Sequence, residues 1–180
     1  SVFDGAGIRK SGARFDIKKA TWINHLHIKE GSTKKIIEAS GKKFDELVSL
    51  FGEEKSNQVI SLVKERLNLI VDLQKEVGFF LNSPSSYDLK VLNKLNKEEA
   101  LIVLNFCILE VRVSKDSAAI KEGLFRESTK NKISFGQTMK TLRLAIVGAL
   151  KGPDLFKIVE IIGTGETLKR INKLTKTLKQ

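Results

Sequence analysis

Two histidines, one cysteine, one methionine, one tryptophan, one tyrosine and two prolines are all that the 180 residues hold of these types. That scarcity closes several chemistries. A lone Cys107 forms no intrachain disulfide, and nothing in such a chain points to an oxidising compartment. Its neighbours Phe106 and Ile108 put it in an apolar helical stretch, which describes an inert core thiol rather than a nucleophile. His25 and His27 are two apart on a predicted helix, so their rings point in different directions and do not clasp one metal. They read as surface histidines. GTGET at 163–167 lacks the rest of G-x-x-x-x-G-K-[ST] and its strand context, and reads as a helix-to-helix turn. No carboxylate pair stands apart from ordinary solvated ones. The inventory yields no catalytic residue, no metal site and no cofactor.

Long apolar runs are missing too. The longest, ALIVLNFCILEV at 100–111, is interrupted by Asn105 and Glu110 and is too short to span a bilayer, so it reads as a buried helix and the chain as one that does not enter a membrane. The opening SVFDGAGIRK has neither an initiator methionine nor an apolar signal core. It reads as an excised piece of a cytosolic protein.

Acidic residues are outnumbered. Against 21 Asp and Glu stand 32 Lys and Arg, a net charge of +11 that favours nucleic acid, an anionic surface or an acidic protein as partner. At 41% hydrophobic and 29% charged, the composition is globular rather than disordered.

What is present is helical period. KKFDELVSLF sets Phe44, Leu47, Val48 and Phe51 at i, i+3, i+4 and i+7. Residues 57–78 predict one long helix with the stripe Val59, Leu62, Val63, Ile70, Leu73 and Val77. Asn96 with Glu99 opens a very apolar helix over 97–113, and Ser134 with Gln137 opens another over 135–150. Pro153 suits a first helical turn and Gly163 a helix end. The final TGETLKRINKLTKTLKQ carries five cations against one Glu, with Leu168, Ile171, Leu174 and Leu178 on one face. It predicts a basic amphipathic helix whose cations Lys169, Arg170, Lys173 and Lys176 form a solvated face. No window alternates strictly, so the expected fold is all-α. The segment FLNSPSSYD at 80–88 is the best linker. It divides the chain into helical subdomains over 1–82 and 83–180.

Three stretches resist a bland reading. The only tryptophan, Trp22, lies among Arg9, Lys10, Arg14, Lys18 and Lys19, as a core anchor with a basic rim or as a stacking platform beside phosphates. Arg66 interrupts the apolar stripe of 57–78. It is either paired with an unidentified carboxylate or a fork for a base edge or phosphate. Arg143 interrupts the apolar 135–150 helix, and Lys151-Gly152-Pro153 leads into the next one. That turn is either an ordinary connection or a helix N-terminus offering N–H groups and positive charge to an anion or base.

Taken together these motifs have a precedent. KSGARFDIKKATWIN resembles the pattern K-S-x-A-x-F-D-x-x-K-L-x-W-x-N, which opens the anticodon-binding region of bacterial-type glutamyl-tRNA synthetases, a class I family. Arg66 in VKERLNLI matches an arginine that many members carry on the following helix. LRLAIVGALKGPDLFKIVEIIGTGETLKRI is similar to the closing pattern L-R-x-A-L-T-G-x-x-x-x-P-x-L-F-x-x-x-x-x-L-G-x-x-x-x-x-x-R. Departures are Ala20 for leucine, His25 and His27 for the glycine and tyrosine of W-x-N-G-x-Y, Thr141 for proline, and Val147-Gly148 for the T-G pair. The catalytic signatures HIGH and KMSKS are absent.

The resemblance implies an α-helix cage that binds RNA and performs no chemistry by itself. ATP and magnesium would belong to a catalytic domain upstream of Ser1. The partners implied are tRNA-Glu and that domain, in a cytoplasmic monomer. Lys19 would contact the RNA backbone, Trp22 would pack, and Arg66, Arg143, Lys151, Gly152, Pro153 and Leu155 would meet the anticodon. Apart from the resemblance, a helical adaptor with a basic surface for an acidic protein is the competing reading.

Overall fold

A computed structural model describes residues 15–114 and 116–180. Among them the chain is helical throughout, without a strand. The helices are α1 (Ile17–Glu30), α2 (Thr33–Ser40), α3 (Lys42–Phe51), α4 (Glu53–Lys64), α5 (Leu73–Leu81), α6 (Leu89–Leu92), α7 (Lys97–Val113), α8 (Ser117–Lys130), α9 (Phe135–Val147) and α10 (Leu155–Lys179). Helices α2 to α5 pack on one another, α7 to α10 do likewise, and α5 meets α10. No described helix is long and apolar enough to cross a membrane.

The capping signals work as the sequence implies. Asn96 accepts from the Glu98 and Glu99 amides at the start of α7, and Ser134 accepts from the Gln137 amide at the start of α9. Each side-chain oxygen satisfies an amide that has no partner inside the helix. Helix α9 ends at Val147 rather than at 150, because Gly148 turns left-handed at φ +82 and its amide bonds the Leu144 carbonyl. Gly163, at φ +76, breaks α10 where a helix end is expected. The true cap of α10 is Asp154, which accepts from the Lys157 amide, so Pro153 precedes the helix instead of occupying its first turn.

The long helix expected over 57–78 does not form. Helix α4 stops at Lys64, and Arg66 and Leu67 make tighter i→i+3 bonds to Val63 and Lys64. The chain then extends at Leu69, and the Asp72 carboxylate takes the Leu69 amide to start a single 3-10 turn, Ile70–Asp72. Leu67 is fully buried, whereas Ile70 is 41% exposed. The stripe was two helices in near register, joined by a turn that keeps the apolar spacing.

The 82–88 connection is fastened at both ends. Ser83 Oγ donates to Glu166 Oε1 at 2.5 Å, Lys173 Nζ donates to the Pro84 carbonyl, and the Asp88 amide donates to the Gly148 carbonyl at 2.8 Å. Behind it lies the largest fully buried side chain, Arg170. Its Nε meets Glu166 Oε1 at 2.9 Å, Nη1 donates to the carbonyls of Phe79 (2.7 Å) and Ile146 (2.9 Å), and Nη2 to Phe80 (3.3 Å). Arg170 is therefore a core residue and not a member of a solvated cationic face. A guanidinium out of water needs that many acceptors, and here the last turns of α5 and α9 supply them. Burial pushes the Glu166 carboxyl up, but hydrogen bonds from Ser83 and Arg170 and the charge of Arg170 outweigh it and hold the group below its ordinary range.

Candidate nucleic-acid interface

Arg66 leaves the turn after α4 and reaches α5. Its Nε donates to Glu76 Oε2 at 2.8 Å, with 35% of the side chain exposed. Glu76 is thus the carboxylate that the sequence left unidentified. Among the described residues no protein acceptor meets the two terminal amino groups of Arg66. Arg143, from the buried side of α9, is half-buried and donates through Nη1 to the Pro153 carbonyl at 2.9 Å. Burial lowers the affinity of Arg143 for its proton, the Asp154 carboxylate raises it, and the Arg66 charge lowers it again. Arg143 is thereby tied to the α9–α10 turn and Arg66 to α5, with the Arg66 charge felt at Arg143.

The turn between α9 and α10 is built closely around Arg143. A Cβ on Gly152 would lie 3.1 Å from Val147 Cγ1 and 3.5 Å from Arg143 Nη1. Pro153 is buried, Lys151 and Asp154 are exposed, and Leu155 is only 1% exposed. Leu155 is therefore a core residue rather than a ligand contact. No sequence signal marks Asp154. It places a carboxylate at the N-terminus of α10 and takes one of the amides that an anion would otherwise use.

Helix α1 sits on the same turn as Arg66, held by polar contacts. Asn24 Nδ2 donates to the Asn68 carbonyl, His25 Nδ1 pairs with the Leu67 carbonyl at 2.8 Å, and Lys64 Nζ donates to the Gly31 carbonyl at 2.5 Å. Lys29 and Glu65 add an exposed salt bridge at 3.1 Å. Half-buried His25 is thus a docking residue rather than a surface histidine; His27 is exposed. No side chain of α1 is buried. Trp22 is 59% exposed and so does not pack into the described residues, and Phe15 and Ile17 earlier in the chain are 77% and 71% exposed. Lys19 is exposed about 7 Å along the helix axis from Asn24, and no contact joins it to the arginines. Arg9, Lys10 and Arg14, the rest of that basic flank, lie outside the described residues.

Cys107 is buried, and burial followed by the nearby Glu110 carboxylate pushes its thiol far above the ordinary range. It is the inert core thiol expected. No group of three or more His, Cys, Asp or Glu among the described residues is arranged to hold a metal.

The all-helical body thus presents two anchored arginine forks and the capped α9–α10 turn. The chain belongs to the anticodon binding domain family, whose model matches residues 31–175. It is 33% identical to a glutamate–tRNA ligase of Flavobacterium johnsoniae over 98% of its own length and 36% of that protein's. The corresponding protein of Porphyromonas gingivalis is 35% identical over 98% of this chain and 35% of its own. Among solved structures, a glutamate tRNA ligase from Elizabethkingia meningosepticum in complex with its amino acid superposes with a TM-score of 0.80 at 31% identity, over 98% of this chain and 35% of that one. The chain thus spans about a third of these relatives, matching their C-terminal part.

Proposed function

We propose that this chain is the anticodon-reading part of a glutamate–tRNA ligase and that its RNA partner is tRNA-Glu. The observation that carries the reading is the pair of anchored guanidinium forks, Arg66 on Glu76 and Arg143 on the 151–154 turn. Single-stranded anticodon bases can be splayed out and bonded on their pairing edges, which suits forks held by protein acceptors through one nitrogen and open at the others. Asp154 repels phosphate and accepts from base amino groups, so the cluster favours base edges over backbone. The basic surface beyond it, with Lys19 and Lys151, supplies the sequence-blind attraction to phosphates.

In this reading residues 1–82 form the side facing the catalytic part, and 83–180 complete the anticodon side. ATP, magnesium and adenylate chemistry belong to the parent enzyme's other portion, in the cytoplasm, with one copy of the chain per molecule. The chain alone forms no glutamyl-adenylate.

The test is titration of the purified chain with transcribed tRNA-Glu across a salt series. Log affinity falls by about 0.7–0.9 per phosphate contacted for each decade of salt. Anticodon changes weaken binding at every salt concentration. A flat salt response, or no RNA binding at all, overturns the proposal in favour of an adaptor for an acidic protein.

A further inference from the structure

We propose that Arg170, fully buried and so out of contact with RNA, is a positioning residue that sets the spacing of the two anticodon-facing arginines. The inference rests on the anticodon reading and adds a residue that touches no RNA. Arg66 is held by Glu76 on α5, and the Phe79 and Phe80 carbonyls that Arg170 grips lie one turn further along that helix. Arg143 stands on α9, and the Ile146 carbonyl that Arg170 also grips is three residues beyond it. A single Nη1 therefore bridges the helix that carries one fork's anchor to the helix that carries the other fork.

The geometry demands an arginine. Nη1 spans two carbonyls from different helices while Nε fixes the plane of the fork through Glu166, which Ser83 holds in turn. A lysine ammonium keeps the charge but reaches from one point, and cannot grip α5, α9 and Glu166 in one plane. Total burial leaves no water to replace a lost partner. The two helices are then free to shift against each other by the small distances that separate a formed base contact from a broken one.

The experiment uses Arg170→Lys in the full 180-residue chain. Spin labels are attached at Lys75→Cys on α5 and Lys140→Cys on α9, both exposed sites; buried Cys107 stays unlabelled. The RNA probes are a hairpin carrying a glutamate anticodon and variants with one anticodon base changed. In the parent a wrong base reduces affinity by about 5- to 150-fold. In Arg170→Lys, measured well below both melting temperatures, the label-to-label distance distribution widens and the wrong-base penalty shrinks towards unity. The salt slope stays unchanged because the phosphate contacts remain. A merely structural Arg170 lowers the melting temperature and leaves distances and base preference intact, which would overturn the proposal. Should Arg170→Lys fail to fold, Ser83→Ala decides by the same criteria, with smaller effects in the same directions. If the parent shows no base preference, the anticodon reading falls, while the label distances still decide whether Arg170 holds α5 against α9.

Discussion

Replacing Arg66 separates reading from folding because the two contributions differ in size. Its ion pair with Glu76 joins a guanidinium 35% exposed, on the turn after α4, to a largely covered carboxylate on α5, 13% exposed. Such a pair contributes about 0.2–1 kcal/mol. In a chain of this length, 1 kcal/mol corresponds to about 2–4 °C, so Arg66→Ala lowers the melting temperature by no more than about 4 °C. A fork on a base edge contributes about 1–3 kcal/mol of discrimination, or about 5- to 150-fold in relative affinity. Arg66→Lys restores attraction to phosphate but not base choice, since the planar fork is gone. Glu76→Gln gives opposite signs in one protein: overall RNA affinity rises as a negative charge is removed, while base preference falls as the fork loses its anchor. The assay is calorimetric melting alongside fluorescence anisotropy with hairpins changed at each anticodon base. Arg66→Ala losing the same factor against every hairpin would refute base reading. A melting loss well beyond about 4 °C with unchanged preference would make Arg66 a residue of the fold.

Gly148→Ala forces a side chain into a left-handed turn, at about 1–2 kcal/mol, and puts Cβ 2.8 Å from the Ser86 carbonyl oxygen, so melting falls by several degrees. Gly78→Ala, mid-helix in α5 with nothing within 4 Å of the new Cβ, gains about 0.5–1 kcal/mol instead; equal effects at both sites would contradict this backbone account. Glu166 has a folded-state pKa below its unfolded value near 4.5, so its contribution is present above that pH and is lost as pH falls through the folded value. Urea midpoints between pH 7 and 3 therefore fall more steeply in the parent than in Glu166→Gln, and parallel curves would show that the carboxylate is not engaged.

Local signals carried most of the fold. Caps at Asn96 and Ser134, the stop at Gly163 and the apolar stripe of α3, with Leu47 buried, depend on neighbours within a few residues, and they stand where the spacing puts them. What the sequence concealed was long-range. The break after Lys64 hides because Leu67 replaces Ile70 as the buried residue without disturbing the apolar period. Arg170 was assigned to the solvated face although Thr167, Ile171, Leu174 and Leu178 put it on the buried stripe. Two of its acceptors lie 90 and 91 residues away, on another helix. The candidate site was half legible. Arg66 and Arg143 stand out as cations in apolar stretches, but Glu76 and Asp154 look like any exposed acid until folding brings them alongside.

The order of synthesis gives α10 a particular weight. Helix α7 buries Val103, Leu104, Phe106 and Cys107, and the helix packed most extensively on it is α10. A ribosome adding about 5–20 residues per second delivers Arg170 roughly 4–15 s after α7 begins. During that interval α7 has only α8 and α9 to cover it, and the carbonyls of Phe79 and Phe80 wait for their guanidinium. Synthesis of α10 thus covers the remaining face of α7 and ties α5 to α9 through one side chain.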